Sequence, residues 1–331
     1  MFPRRPLFFR QGEGSAKIKS PVLKGSSNGQ LALPRPIADL VSPSSSSPPP
    51  IISSSKRHNS EMHFSSGIST LQNTRQNASE DRVIEHFDVN QTGICIFGVV
   101  DGHGGADCAS FVAQQLPQMI TVEASKIAGN MDSLLNESWG SVLEDSFRKV
   151  ADKWDTEGAP TSGAVATLVL VSKRSCLIAH AGDCKVIASL PDDSYVELTR
   201  DHRCSDPDEA ERVEEAGGIV FNGRVEGRLM PSRAFGDINV RTKANGDLLD
   251  CIAPEPDICY HHVEEDRDGF VIVASDGLFD VVPPARAVAH VRRSLEENGD
   301  PEYAAKRLVG LASKRSTDDI SIVVLSFRRT K

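Results

Sequence analysis

The stretch Gly98-Val-Val-Asp-Gly-His-Gly-Gly-Ala-Asp107, GVVDGHGGAD, decides how the chain is read. It follows an apolar, β-branched run, TGICIFGVV (92–100), which has the composition of a buried strand. Asp101 and His103 then stand at its end among four glycines. A glycine-rich turn accounts for the glycines alone. It does not account for a carboxylate beside an imidazole where a buried strand stops. The stretch also lacks the G-x-x-x-x-G-K-[ST] pattern and the lysine of a nucleotide-phosphate loop.

Outward from this point, acids recur at the edges of other apolar runs. Glu80 and Asp81 lie in SEDR, and Asp183 interrupts AHAGDCKV. Asp276 follows VIVAS, and Asp318 and Asp319 precede ISIVVL. A carboxylate at a strand terminus can enter a cleft while the strand itself stays packed. Several converging carboxylates repel one another unless cations hold them. Hard oxygen donors without a cysteine or histidine cluster suit Mg²⁺ or Mn²⁺. Two such ions about 3.5–4 Å apart form a clamp for phosphoryl chemistry.

The surrounding pattern mixes strands and helices without regular β-α-β alternation, which predicts an α+β fold. A helix is expected over 106–120, interrupted near Pro117, and another over 132–154 with Asp132 as its cap. AVATLVLVS and CLIAHAGDCKVIASL read as two strands turning at Lys173-Arg174. DPDEAERVEEAGG (206–218) reads as a short helix with proline in its first turn. GFVIVAS (269–275), helices at about 285–297 and 301–314, and a last strand DDISIVVLSF complete the chain.

Composition narrows the function. Of 331 residues, 39% are hydrophobic and 25% charged, and no run approaches the roughly eighteen apolar residues of a membrane span. The first sixty residues hold nine Lys/Arg against two Asp/Glu, whereas the rest hold 28 against 44. An acidic body argues against general nucleic-acid binding. The expectation is therefore no nucleic-acid partner and no membrane partner; a monomer is expected as well, although nothing in the composition bears on it. Seven scattered cysteines with no C-x-x-C pair indicate a reducing compartment rather than a disulfide framework. Residues 1–65 are basic and Ser/Pro-rich, and read as a disordered tail before a domain spanning 66–331. The basic, acid-poor start overlaps in composition with a transit peptide, although Pro3 and Pro6 disfavour a targeting helix. The expected location is cytoplasm or nucleus, with a mitochondrion or plastid as the alternative.

Taken in order, these segments resemble the metal-dependent type-2C serine/threonine protein phosphatases. VVDGHGG resembles the family's signature, SEDR its upstream acid pair and AHAGDCKV its Gly-Asp strand. TRDHRCSDPDEAERVEEAGGIV and GRVEGRLMPSRAFGD resemble two further blocks. IVASDGLFDVV and STDDISIVV resemble the last metal motifs, giving coverage from about 66 to 328. The resemblance implies a four-layer α-β-β-α sandwich with two central antiparallel sheets and two Mg²⁺ or Mn²⁺ ions between them. It implies that Asp101 bridges both ions. Glu80 and the Gly102 carbonyl would complete one site, Asp276 and Asp318 would serve the other, and Asp81 would act through water. Asp183 would support a third, weaker ion near Asp276. His103 would be the general acid, and phosphorylated proteins the substrates.

Three departures stand out. Arg75, the candidate phosphate ligand, lies six residues before Asp81 where the family usually has five. Arg82 is the other local candidate, read as a surface charge. Asp318-Asp319 replaces a common Asp-Asn, and Val165 stands where threonine is common. Val165 and the shifted Arg75 motivate a competing reading as a binding module without catalysis. A hydrolase of small phosphate esters would need the same site.

Overall fold

In a computed structural model of the chain, residues 51–52, 64–72, 78–86, 88–127, 138–192, 194–264 and 269–327 are described. Arg75, Asp132 and residues 1–50 and 53–63 of the expected tail lie outside them. The first elements are β1 (Ile51–Ile52), β2 (Ser65–Leu71), β3 (Arg82–His86), β4 (Cys95–His103), α1 (Asp107–Ala124) and α2 (Ser138–Glu157). The central hairpins follow as β5 (Gly163–Ser172), β6 (Ser175–Ala181), β7 (Lys185–Ser189) and β8 (Tyr195–Glu197). An irregular excursion holds α3 (Pro207–Glu215), β9 (Val220–Phe221), β10 (Arg224–Val225), β11 (Phe235–Gly236) and α4 (Ile238–Arg241). The chain ends with β12 (Asp257–His262), β13 (Phe270–Ala274), α5 (Asp276–Phe279), α6 (Pro284–Asn298), α7 (Pro301–Ala312) and β14 (Ile320–Ser326).

Two antiparallel sheets form, with orders β1-β2-β14-β13-β7-β8 and β12-β6-β5-β4-β3. Strand periodicity sorts their side chains into three apolar layers. On β4, Ile96 and Val100 face α1 and α2, while Cys95, Phe97 and Val99 face the other sheet. On β13, Val271 and Val273 face inward between the sheets, while Phe270, Ile272 and Ala274 face α6 and α7. The result is the four-layer α-β-β-α sandwich of an α+β fold.

Three local outcomes differ from the sequence expectations. The strand of the opening stretch does not stop at Val100 but runs through His103, because Asp101, Gly102 and His103 remain paired with Val165, Ala164 and Gly163. The run CLIAHAGDCKVIASL is two strands in different sheets, since the chain crosses between sheets at Gly182-Asp183-Cys184. The turn at Lys173-Arg174 forms as expected, with Ser172 paired to Ser175. Helix α1 continues through Pro117, which is buried with Leu116 and Ile120. An interior proline costs a helix roughly 3 kcal/mol. Burial of this apolar face against β3, β4 and β5 offsets that cost. Beside β2, Phe64 is buried on Phe97 and Phe327, and Ile51–Ile52 pairs with Thr70 and Leu71.

Phe97 is fully buried between the sheets and meets Phe64 edge-on at 5.7 Å between ring centroids. Phe97→Ala is expected to lower stability by about 3–5 kcal/mol, read as a fall in the urea midpoint with an unchanged slope.

Candidate active site

The acids converge because strand registers bring them together at one end of the sandwich. Alternation along β4 puts Asp101 on the same inter-sheet face as Cys95, Phe97 and Val99. Arg82 pairs with Val100, so one step along that register sets Asp81 opposite Asp101. Asp183 enters from the crossing segment. Asp276 and Asp318 arrive from the other sheet, at the end of β13 and the start of β14.

Electrostatics express this convergence. Burial, then the charges of Asp81, Asp276, Asp183 and Asp318, push the Asp101 carboxyl well above the usual range. Burial chiefly pushes Asp81 up to about 7, with the charges of Asp319 and Asp318 adding to it and the Ser275 hydroxyl opposing it. The Ser275 hydroxyl donates to Asp81 Oδ2 at 3.0 Å. Burial and Asp183 push Asp276 up to about 7 as well. Asp183 is raised by burial, against the pull of Arg203. Among the described residues, Arg203 is the guanidinium that reaches into this set. Its Nε donates to Asp183 Oδ2 at 2.8 Å, and its Nη2 lies 3.5 Å from Asp276 Oδ2. The donor chemistry is chiefly carboxylate and fits a hard divalent cation, and the one thiol nearby, Cys184, is pushed well above its ordinary pKa by burial and these same acids, which disfavours the thiolate. Among the described residues, no three Asp, Glu, His or Cys groups close around one point as a finished cation site would.

The remaining expected residues are placed as follows. Glu80 Oε1 accepts from the Gly105 N–H at 2.6 Å. Gly102 has no room for a side chain: a Cβ there would stand 2.6 Å from the Glu80 carbonyl and 2.9 Å from the Ala109 Cβ. Asp318 is exposed, while Asp319 is buried. Asp319 Oδ2 accepts from Ser79 Oγ at 3.0 Å and from the Glu80 N–H at 2.7 Å. The second acid of the pair therefore ties β14 to the acid loop. Val165 is buried in strand register with Asp101, where an apolar side chain continues the inter-sheet core. Arg82 is not a free surface charge. Its guanidinium donates to Ser110 Oγ at 3.0 Å and to the Ser79 and Asp81 carbonyls at 2.7 Å, clamping the acid loop to α1. His103 is held by a buried carboxylate: its Nε2 lies 2.9 and 2.8 Å from the two oxygens of Asp237. Burial alone would lower the pKa of the ring, but the hydrogen bond and charge of Asp237, with Asp183 and Glu80, raise it.

Arg203 and Asp237 are the site residues the sequence reading missed. Both stood inside recognised segments, TRDHRC and SRAFGD. A basic residue next to Asp201-His202 and an acid after a glycine were the available signals. Neither signal reveals which partner lies across the fold.

The chain is similar to known proteins along most of its length. A family model described as Protein phosphatase 2C matches residues 64–320. "Probable protein phosphatase 2C 57" of Oryza sativa subsp. japonica is 35% identical over 70% of this chain and 61% of its own. "Probable protein phosphatase 2C 22" of Arabidopsis thaliana is 33% identical over 69% of this chain and 58% of its own. The chain thus spans about three fifths of the length of these relatives. Among solved structures, a C. elegans sex determining protein matches with a TM-score of 0.65 and 25% identity, covering 80% of this chain and 65% of that one. A Toxoplasma gondii serine-threonine phosphatase 2C matches with a TM-score of 0.65 over 85% of this chain and the whole of its own. At 20% identity, that second match speaks to the fold alone.

A network running from the buried His202 and Glu209 out to the exposed Asp257 supports the segments that carry Asp183 and Arg203. His202 Nδ1 accepts from the Gly182 N–H at 3.1 Å, so the ring carries its proton on Nε2. That Nε2 lies 3.1 Å from Asp257 Oδ2, at ion-pair distance rather than in hydrogen-bond alignment. Arg233 donates to Asp257 and to Glu209, and Ser232 Oγ donates to Glu209 Oε2 at 2.7 Å. Burial alone would raise the Glu209 carboxyl, but Arg233, Ser232 and Arg212 together hold it at about 2, against an ordinary 4.5. The folded state therefore resists protonation that the unfolded chain accepts. The resulting stability is present in full above the ordinary value and is lost as pH falls toward about 2. Glu209→Gln is expected to remove that pH dependence and to lower stability at neutral pH by on the order of 3 kcal/mol. Urea unfolding of both proteins across this range measures the difference.

Proposed function

Because the chain belongs to the protein phosphatase 2C family, we propose that it hydrolyses phosphoserine and phosphothreonine in proteins with Mg²⁺ or Mn²⁺ as cofactor. The observation that carries this reading is the gathering of Asp81, Asp101, Asp183 and Asp276 between two sheets, each with its carboxyl raised by burial and its neighbours. Such a set has no structural value as bare charges, and its natural complement is a pair of divalent cations. Asp101, Glu80, the Gly102 carbonyl, Asp276 and Asp318 would hold the two ions. Asp81 would act through water, and Asp183 would support a third, weaker ion in place of its contact with Arg203. When bound, the ions supply Lewis acidity toward the phosphate oxygens and lower the pKa of water.

The chain's own groups do the rest. The P–O bond to serine or threonine breaks as a water oxygen joins phosphorus in line. His103 gives its proton to the departing oxygen, leaving a neutral ring, a free hydroxyl and inorganic phosphate. Arg75 would orient the phosphate through its guanidinium fork. No Cys-x₅-Arg nucleophile motif occurs in the sequence, in keeping with direct attack by water rather than a phosphoenzyme.

Asp101→Ala is expected to lower Mn²⁺-dependent release of phosphate from a phosphothreonine peptide at least ~1000-fold. It should also weaken Mn²⁺ binding by calorimetry and leave the circular dichroism spectrum unchanged. A folded variant that keeps most of its turnover overturns the mechanism. Activity of the unaltered protein confined to small phosphate esters would instead assign a metabolite substrate.

A further inference from the structure

Asp237 stands directly before α4, where an aspartate ordinarily accepts a hydrogen bond from the first helical turn. Its side chain accepts none from that turn. Its backbone is left-handed, at φ 55° and ψ 34°, a region disfavoured for any residue with a Cβ. The conformation is held from both sides: Asp237 N–H donates to the Ser162 carbonyl, and Val240 and Arg241 N–H donate to the Asp237 carbonyl. This arrangement delivers a carboxylate only 3% exposed to His103, with both oxygens within 2.9 Å of Nε2. The facing strand is cut away to admit the pair. Gly163 is the register partner of His103, and a Cβ at Gly163 would stand 2.3 Å from Asp237 Oδ2 and 2.4 Å from His103 Nε2. Among the described residues, His103 Nδ1 makes no hydrogen bond, so Asp237 engages one edge of the ring and leaves the other free.

We infer that Asp237 is the positioning residue of His103, fixing the ring with Nε2–H on the carboxylate so that Nδ1 is the nitrogen that serves the leaving group. The inference rests on the reading of His103 as general acid. In the step, the Nδ1–H proton passes to the serine or threonine oxygen as that oxygen takes the electron pair of the breaking P–O bond. The Nε2–H stays on Asp237, and solvent restores the Nδ1 proton.

The test compares the full chain with Asp237→Ala and Asp237→Asn on two substrates in Mn²⁺. A phosphothreonine peptide has a leaving group that needs a proton, whereas p-nitrophenyl phosphate has one that does not. The ratio of kcat on the peptide to kcat on the aryl ester is expected to fall about 100-fold in either variant. His103→Ala should give a similar fall, and the double variant should add nothing to it. ¹⁵N NMR of the histidine ring in the metal-free protein should show His103 as the Nε2–H tautomer, with that preference lost in Asp237→Ala. Equal losses on both substrates, additive losses in the double variant, or an Nδ1–H ring in the unaltered protein would overturn the inference. If neither variant folds, the tautomer of the unaltered protein decides. An unaltered protein that releases phosphate from neither substrate refutes the phosphatase reading itself, while the tautomer still tests the pair.

Discussion

Mutual repulsion among Asp81, Asp101, Asp183 and Asp276 is the constraint around which this fold is arranged. Each carboxylate is brought between the sheets by a backbone whose other residues are firmly packed. Asp101 extends a strand whose Phe97 and Val99 are fully buried, and Asp276 follows one whose Val271 and Val273 are fully buried. The apolar layer between the sheets supplies the driving force, and the charged end is the strain it carries. Arg203 relieves part of that strain through Asp183 and Asp276. The separation is spatial as well as energetic, since the three apolar layers run through the sandwich while the acids stay at one end.

Around this end, the polar groups that do not face the acids hold the backbone that does. Asp319 binds the Ser79-Glu80 loop, Arg82 clamps the same loop to α1, and His202 grips Gly182 beside Asp183. Arg233 joins Glu209 of α3 to Asp257 of β12, so the irregular excursion after β8 is tied to a sheet edge. Ordering of the first residues that face the acids thus depends on a second set reaching several elements away.

Much of this was legible in the sequence because strands announce themselves by composition. Each acid stood at the edge of a run of Val, Ile, Ala or Leu, and the order of those runs carried the family resemblance. What stayed hidden depended on pairing across the fold. Asp319 stands in the sequence as one acid more than the common Asp-Asn, and its hydrogen bonds to Ser79 and Glu80 depend on a loop some 240 positions away. Arg82 read as a surface charge because sequence does not show two carbonyls and a serine converging on it. Pro117 read as a helix break because propensity is local, whereas burial of the α1 face is not. Asp237 passed unnoticed inside the SRAFGD segment because its partner, His103, lies 134 positions earlier in the chain.

The continuation of β4 through His103 has a further consequence for how this protein can change over time. Side chains on a strand alternate, so one inserted or deleted residue between Cys95 and His103 would act like a frameshift. Residues on one side of the change would swap faces relative to those on the other, so either Phe97 and Val99 would turn toward the helices or Asp101 and His103 would leave the cleft together. Residues 219–230, with two-residue strands and exposed Ile219 and Phe221, and residues 242–248, with exposed Leu248, carry no such phase, whereas β11 and Asp237 between them are held in register. Length variation is therefore expected to accumulate in those two segments, while the strand that carries Asp101 and His103 keeps one reading frame.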